Sequence, residues 1–164
     1  MSKEWVAVFD VDGVFTDGCF YNTSAGKYIK KFGPDDWDAV KLLNKHIDVQ
    51  IISADKKGWP ITEQRFSTMG LPLTRVSNHP TERWDWIKGN FPNHSIIYVG
   101  DGLFDWYSLQ RADFSACPAD ALPHVRDSAT YTSCRRGSER FVAEVCIQIM
   151  RNVLELDMSR PGLG

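Results

Sequence analysis

Short continuous apolar runs alternate along this chain with longer stretches in which apolar residues recur at helical spacing. "WVAVFD" (5–10), "DVQIIS" (48–53) and "SIIYVGD" (95–101) read as buried strands, with shorter strands expected at "LTRVS", "DFSACP" and "ATYTS". Between the first two, "DDWDAVKLLNKH" carries Val40, Leu42 and Leu43 in a helical setting, with Asp35 or Asp36 as N-cap after Pro34. Further helices are expected over "PITEQRFSTMG", ending at Gly70, over "PTERWDWIKGNF", over "FDWYSLQRA" and over a closing "SERFVAEVCIQIMRNVLEL". "CFYNTSAGKYIKKF" breaks this rhythm: it alternates around an Asn/Ser/Gly turn signal and reads as a β-hairpin.

Repeated strand–helix units with short connections imply an α/β fold, a three-layer α/β/α doubly wound and mostly parallel sheet with the hairpin inserted after strand 1. With 164 residues, one domain over 1–157 is expected, with "MSRPGLG" (158–164) as a frayed tail. Such sheets bind ligands beyond the carboxyl ends of their strands.

Composition narrows the function classes. Charged residues make up 24% and the formal net charge is only −2, which argues against a nucleic-acid-binding field. The longest apolar runs fall far below the roughly 20 residues of a membrane span, and the N-terminus lacks a signal-peptide pattern. A cytoplasmic protein without nucleic-acid or membrane partners is therefore expected. Cys19, Cys117, Cys134 and Cys146 are widely spaced and form no CxxC pair, so reduced, packed thiols are expected.

Chemistry gathers at the strand ends. "VAVFDVDGVFTDG" delivers Asp10 and Asp12 from a buried strand into a glycine turn; Ser53 ends the second strand, and "VGDGLFD" places Asp101 and Asp105 after the fourth. Each has an ordinary reading on its own, as turn or helix cap. Together they would converge on one sheet edge as a carboxylate cluster that cannot stay fully ionised without a cation. Hard oxygen ligands and a small site favour Mg²⁺, beside which one carboxylate can attack a phosphate and a second can serve as general acid and base.

These residues resemble the motifs of the haloacid dehalogenase-like phosphatases. "FDVDGVFTDG" is similar to motif I, DxDG(V/T)xTDG, Ser53 to motif II and "VGDGLFD" to motif IV, GDxxxD. The resemblance implies Asp10 as nucleophile and Asp12 as general acid/base, and Mg²⁺ held by the Asp10 carboxylate, the Asp12 carbonyl and Asp101. It implies Asp105 holding metal waters or supporting the site, and Ser53 hydrogen-bonding the phosphoryl group. The short intervals between motifs leave no room for a cap domain. They resemble the capless group that includes 3-deoxy-D-manno-octulosonate 8-phosphate phosphatase and the related nine-carbon ulosonate phosphatase. "KKFGPDDWDAVKLL" is similar to that group's "FNxxDGxGIKLL", with Asp36 matching its aspartate as a substrate-binding residue, and "ERFVAEVCIQI" to its "GAVREVCDLI". A homotetramer whose subunits close each other's sites is what the resemblance implies.

The departures bear on substrate. Glu82 and Arg83 stand where the group has aspartate and the motif III lysine, so Arg83 is the expected phosphate-facing cation. Ser53-Ala54-Asp55 replaces Thr-Gly-Arg, an anion in place of a cation, and Gly137-Ser138-Glu139-Arg140 replaces Gly-Gly-Arg-Gly. Arg135, Arg136 and Arg140 remain nearby as candidate substrate-binding cations. The aromatics Trp37, Trp59, Trp84, Trp86, Trp106 and Tyr107 are expected in the core or an interface, one or two of them stacking on substrate. The expected activity is hydrolysis of a small sugar phosphate, such as a 3-deoxy-ulosonate 8- or 9-phosphate in surface-polysaccharide synthesis. The alternatives are another phosphorylated metabolite, or a catalytically weak assembly domain like that of animal acylneuraminate cytidylyltransferases.

Overall fold

A computed structural model describes residues 4–159. Most of the expected tail, residues 160–164, lies outside the described residues.

Six strands form one sheet: β1 (Trp5–Asp10), β4 (Asp48–Ser53), β5 (Leu73–Arg75), β6 (Ser95–Val99), β7 (Phe114–Cys117) and β8 (Tyr131–Thr132). Their order is β5-β4-β1-β6-β7-β8, and every pairing is parallel. The chain builds outward from β1 through β4 to β5, then crosses back to the other side of β1 to lay down β6. That reversal puts a crevice beyond the carboxyl end of β1, where Asp10 sits.

Burial on both faces explains why β1 takes the centre. Val6 and Val8 pack into one apolar cluster, with Ile87 of α3 (Pro80–Asn90), Leu109 of α4 (Trp106–Arg111) and Val125 of α5 (Pro123–Arg126). Ala7 and Phe9 point the other way, toward Val40 and Leu43 of α1 (Asp36–Leu43), Phe66 of α2 (Trp59–Ser67) and the apolar face of α6 (Phe141–Gln148). The alternation follows from the two-residue period of a strand. Fully burying Val6, Val8 and Phe9 contributes about 2 kcal/mol each, which helps offset the cost of bringing carboxylates together at the strand's end.

The insertion after β1 is an antiparallel hairpin, β2 (Tyr21–Thr23) and β3 (Gly26–Ile29), as its alternation predicts. Three elements differ from expectation, the first being α2, which ends at Ser67 with Thr68 as its C-cap, short of Gly70. The closing helix begins at Phe141 rather than Ser138 because Ser138 and Arg140 both take a φ of 64°, and it ends in a π-helical turn over Ile149–Val153. The short α5 has too few residues to show a helical period in the sequence. At the start of α1, Asp35 rather than Asp36 holds the N-cap position, in a left-handed conformation.

Candidate active site

Local backbone demands fix motif I. After β1 the chain turns tightly, with the amides of Val14, Phe15 and Thr16 all directed at the Val11 carbonyl. Thr16 Oγ1 accepts the amides of Gly13 (3.0 Å) and Gly18 (3.2 Å). Gly13 has a φ of 80°, and a Cβ there would fall 1.8 Å from an Asp101 carboxylate oxygen. Glycine is thus the residue that lets the β6 loop carboxylate approach the β1 turn.

Carboxylate oxygens of Asp10, Asp101 and Asp105 lie within 4.8 Å of one another. Asp10 is nearly buried and accepts the Val11 amide at 2.9 Å. Burial first, then the Asp105 charge, pushes the Asp10 carboxyl well above its ordinary range, against the opposing pull of Arg83. Burial and Asp105 likewise push Asp101 up to about 8. A hard-oxygen donor set whose members resist ionising together is what a small divalent cation relieves, so these residues fit one.

Asp105 is a brace within this set. Its Oδ1 accepts Tyr98 Oη at 2.5 Å and Arg83 Nη1, and its Oδ2 accepts the amides of Asp101 (3.0 Å) and Gly102 (2.8 Å). With both oxygens engaged it shapes the loop that carries Asp101, which favours the supporting role over direct metal contact. Arg83, expected as the motif III cation, is only 4% exposed. It donates to Tyr98 Oη (3.1 Å) and the Ser77 carbonyl (3.4 Å) and lies 3.6 Å from Asp10 Oδ2. Burial opposes its charge, but the groups around it outweigh burial and hold the guanidinium above its ordinary value.

Ser53, at the end of β4, donates to Asp12 Oδ2 at 3.3 Å. Asp10, Asp12, Arg83 and Asp101 line a cavity of about 360 Å³, along with Phe20 and Phe104. A larger hollow of about 810 Å³ lies at the opposite, amino end of the strands, beside Trp5, His46 and Asp48. Its greater size does not make it the site, because the perturbed carboxylates are at the other end.

Three other expected residues fall elsewhere. Asp36 is buried where α1 packs on α6, with Oδ1 accepting the Ala143 amide at 2.9 Å, and does not reach the cavity. Its place in the chain matched a substrate contact, but the packing of α1 turns it inward. Arg140 pairs with Asp35 at 2.5 Å and lines a separate surface groove; Arg136 is exposed in the loop before it. Neither is among the residues lining the cavity. The aromatics on it are Phe20 and Phe104 rather than any tryptophan, since Trp37, Trp84 and Trp86 pack against the cores.

Two lysines of the hairpin were not anticipated. Lys27 Nζ lies 2.7 Å from Asp55 Oδ2, and Lys30 Nζ lies 2.7 Å from Asp12 Oδ1 and 2.8 Å from Asp55 Oδ2. Asp55 therefore adds no uncompensated anion to the cavity wall. Burial alone would raise its pKa, yet Lys27 and Lys30 hold it well below the usual carboxylate range. The sequence carried no signal for them, because apolar Tyr28 and Ile29 lie exposed while Lys30 is buried, the reverse of what residue type suggests.

A scan against family models gave no match. The chain is 30% identical over 157 residues to 3-deoxy-D-manno-octulosonate 8-phosphate phosphatase KdsC of Salmonella typhi, covering 93% of this chain and 82% of that protein. A putative 3-deoxy-D-manno-octulosonate 8-phosphate phosphatase from Vibrio cholerae superposes with a TM-score of 0.81 at 28% identity, over 96% of this chain and 89% of the other. The Moraxella catarrhalis phosphatase, solved with magnesium ion, phosphate ion and KDO, shares the fold at a TM-score of 0.79 and 21% identity, over 89% of this chain and 85% of its own. With this similarity along nearly its whole length, the chain belongs to the 3-deoxy-D-manno-octulosonate 8-phosphate phosphatase family of haloacid dehalogenase-like hydrolases.

Proposed function

We propose that this protein is a Mg²⁺-dependent phosphomonoesterase whose substrate is 3-deoxy-D-manno-octulosonate 8-phosphate or a closely similar ulosonate phosphate. The observation that carries this reading is the triad of converging carboxylates, Asp10, Asp101 and Asp105, with the buried Arg83 against two of them. Asp10 and Asp101, with the Asp12 carbonyl, would hold the metal. When bound, Mg²⁺ would supply the positive charge that lets Asp10 ionise beside its neighbours and would draw charge from the phosphoryl oxygens.

Asp10 attacks phosphorus, the bond from phosphorus to the sugar oxygen breaks, and Asp12 gives that oxygen its proton. Water, deprotonated by Asp12, then attacks the aspartyl-phosphate, and inorganic phosphate leaves as the Asp10 carboxylate is restored. Arg83 and the Ser53 hydroxyl orient the phosphoryl oxygens. Bringing up these fixed donors in a partly buried cavity stabilises charge that grows in the transition state.

The reading includes a homotetramer. Phe20 (48% exposed) lines the cavity, and the adjoining hairpin exposes Tyr21 (69%) and Tyr28 (69%). Apolar surface at that place suits a neighbouring subunit that closes the site. A second reading, another phosphorylated metabolite, draws support from Arg136 and Arg140 lying off the cavity, where they do not meet a sugar-acid carboxylate of the same subunit.

The test is phosphate release from a panel of sugar phosphates with Mg²⁺, comparing wild type with Asp10→Asn. Release by wild type and none by the variant is expected. A folded wild type inactive across the panel would sink the enzyme reading. Light scattering that gives a monomer at micromolar concentration would sink the tetramer.

A further inference from the structure

Beside the reacting carboxylates lies a cluster of charges that the steps above do not use. Lys30 follows β3, and its side chain is only 1% exposed. Its ammonium has three donors and three oxygen partners: Asp12 Oδ1 at 2.7 Å, Asp55 Oδ2 at 2.8 Å and Thr62 Oγ1 at 2.9 Å.

The socket around it is closely built. Asp55 Oδ1 accepts the Gly58 amide at 3.0 Å, and Thr62 Oγ1 donates to the Gly58 carbonyl at 3.4 Å. A Cβ on Gly58 would come within 2.6 Å of Lys30 Cε and 2.2 Å of Asp55 Oδ2, so a side chain there would have to push Lys30 and Asp55 out of this arrangement. Lys27, 4.1 Å above the Phe20 ring, holds the same Asp55 oxygen at 2.7 Å. Lys30 is therefore fixed from three segments, and Asp12 Oδ1 is fixed with it.

The other oxygen of Asp12 is held more lightly. Oδ2 has the Ser53 hydroxyl at 3.3 Å, a group that turns to the phosphoryl oxygens once substrate is present in the proposed reaction. We propose that Lys30 is a positioning residue for Asp12. It pins Oδ1 and so aims Oδ2 at the leaving oxygen when Ser53 turns its hydroxyl to the phosphate. Asp55 and Thr62 are the anchors that keep Lys30 in place. This rests on Asp12 being the general acid.

Dependence on the leaving group tests it. A sugar alkoxide needs a proton to depart, whereas 2,4-dinitrophenolate does not, and kcat/KM reports only the steps through departure of that group. Rates would be compared on the best sugar phosphate of the panel and on 2,4-dinitrophenyl phosphate. Asp12→Asn should lose about 10²–10⁴-fold in kcat/KM on the sugar phosphate and under about tenfold on the aryl ester. Lys30→Met should show the same asymmetry, at least about tenfold, and should cost little more when added to Asp12→Asn. Removing Lys30 leaves Asp55 with Lys27 and leaves Asp12 one-third exposed, so no buried charge is stranded. If Lys30→Met fails to fold, Asp55→Asn, which loosens the anchor, carries the same comparison. Asymmetry in Asp12→Asn together with equal losses on both esters in the Lys30 or Asp55 variant overturns the positioning role. No asymmetry in Asp12→Asn overturns the general-acid reading and this inference with it.

Discussion

Asp36 makes the sharpest prediction, because its side chain is 2% exposed and its Oδ2 is buried without a hydrogen-bond partner. Burial raises its pKa from 3.8 to about 6, while the Ala143 amide, near the start of α6, pulls the other way. Between those values the unfolded chain has lost the proton and the folded chain keeps it. Stability must then fall as pH rises from about 4 to about 6 and level off above, the reverse of a salt-bridged carboxylate. Two pH units correspond to at most about 3 kcal/mol, and relaxation around the charge leaves an expected effect of about 1–2 kcal/mol.

Asp36→Asn removes the charge and keeps an oxygen for the Ala143 amide. At neutral pH the variant should melt roughly 2–8 °C above wild type, and near pH 4 the two should coincide. Melting by circular dichroism over that pH range, without added divalent metal, measures the difference. KM should stay within about twofold of wild type, since the side chain lies in the α1–α6 seam. A pH-independent difference in melting temperature would refute the desolvation argument. A tenfold rise in KM would return Asp36 to the substrate site, where its sequence position suggested it belonged.

Arg83→Lys should fold and keep turnover within about tenfold, because an ammonium can still face Asp10 and Asp105; Arg83→Met should lose at least about 10²-fold and about 3–5 kcal/mol of stability by stranding Asp105. Near-wild-type phosphate release by Arg83→Met would remove Arg83 from the site. Gly137→Ala would put a Cβ 2.2 Å from the Gly13 carbonyl oxygen and 2.4 Å from that of Thr16, so a loss of about 1–3 kcal/mol and a drop in kcat are expected, read by melting and turnover. Mg²⁺ should raise the melting temperature, by an amount that grows as pH rises toward 8, since it displaces the proton that Asp101 otherwise keeps up to about 8. Chelation should abolish phosphate release, and an equal Mg²⁺ shift in Asp101→Asn would count against Asp101 as a ligand.

What the sequence made legible and what it hid divide along one physical line. Asp10, Asp12, Ser53 and Asp101 are placed by the strands that carry them: once β1, β4 and β6 are recognised as parallel neighbours, their carboxyl ends share an edge, and local pattern suffices. The position of Arg83 was legible for the same reason, since it falls in the first turn of a helix after a strand. Asp36 misled because the same local match says nothing of which way a helix is rolled, and the apolar face of α1 against α6 decided that. Lys30 was hidden most completely. A lysine is ordinarily exposed, and burying one is tolerable only if oxygens from elsewhere meet it. Here they come from the β1 turn, the loop after β4 and helix α2. The replacement of a family arginine by Asp55 looked, residue by residue, like a lost cation. Asp55 is instead one end of a charge chain, Asp12 to Lys30 to Asp55 to Lys27, whose members have ordinary exposed readings one at a time and form a built site only together. The charge reversal at Asp55 is thus matched within the fold, because Lys27 of β3 and Lys30 just after it supply the partners.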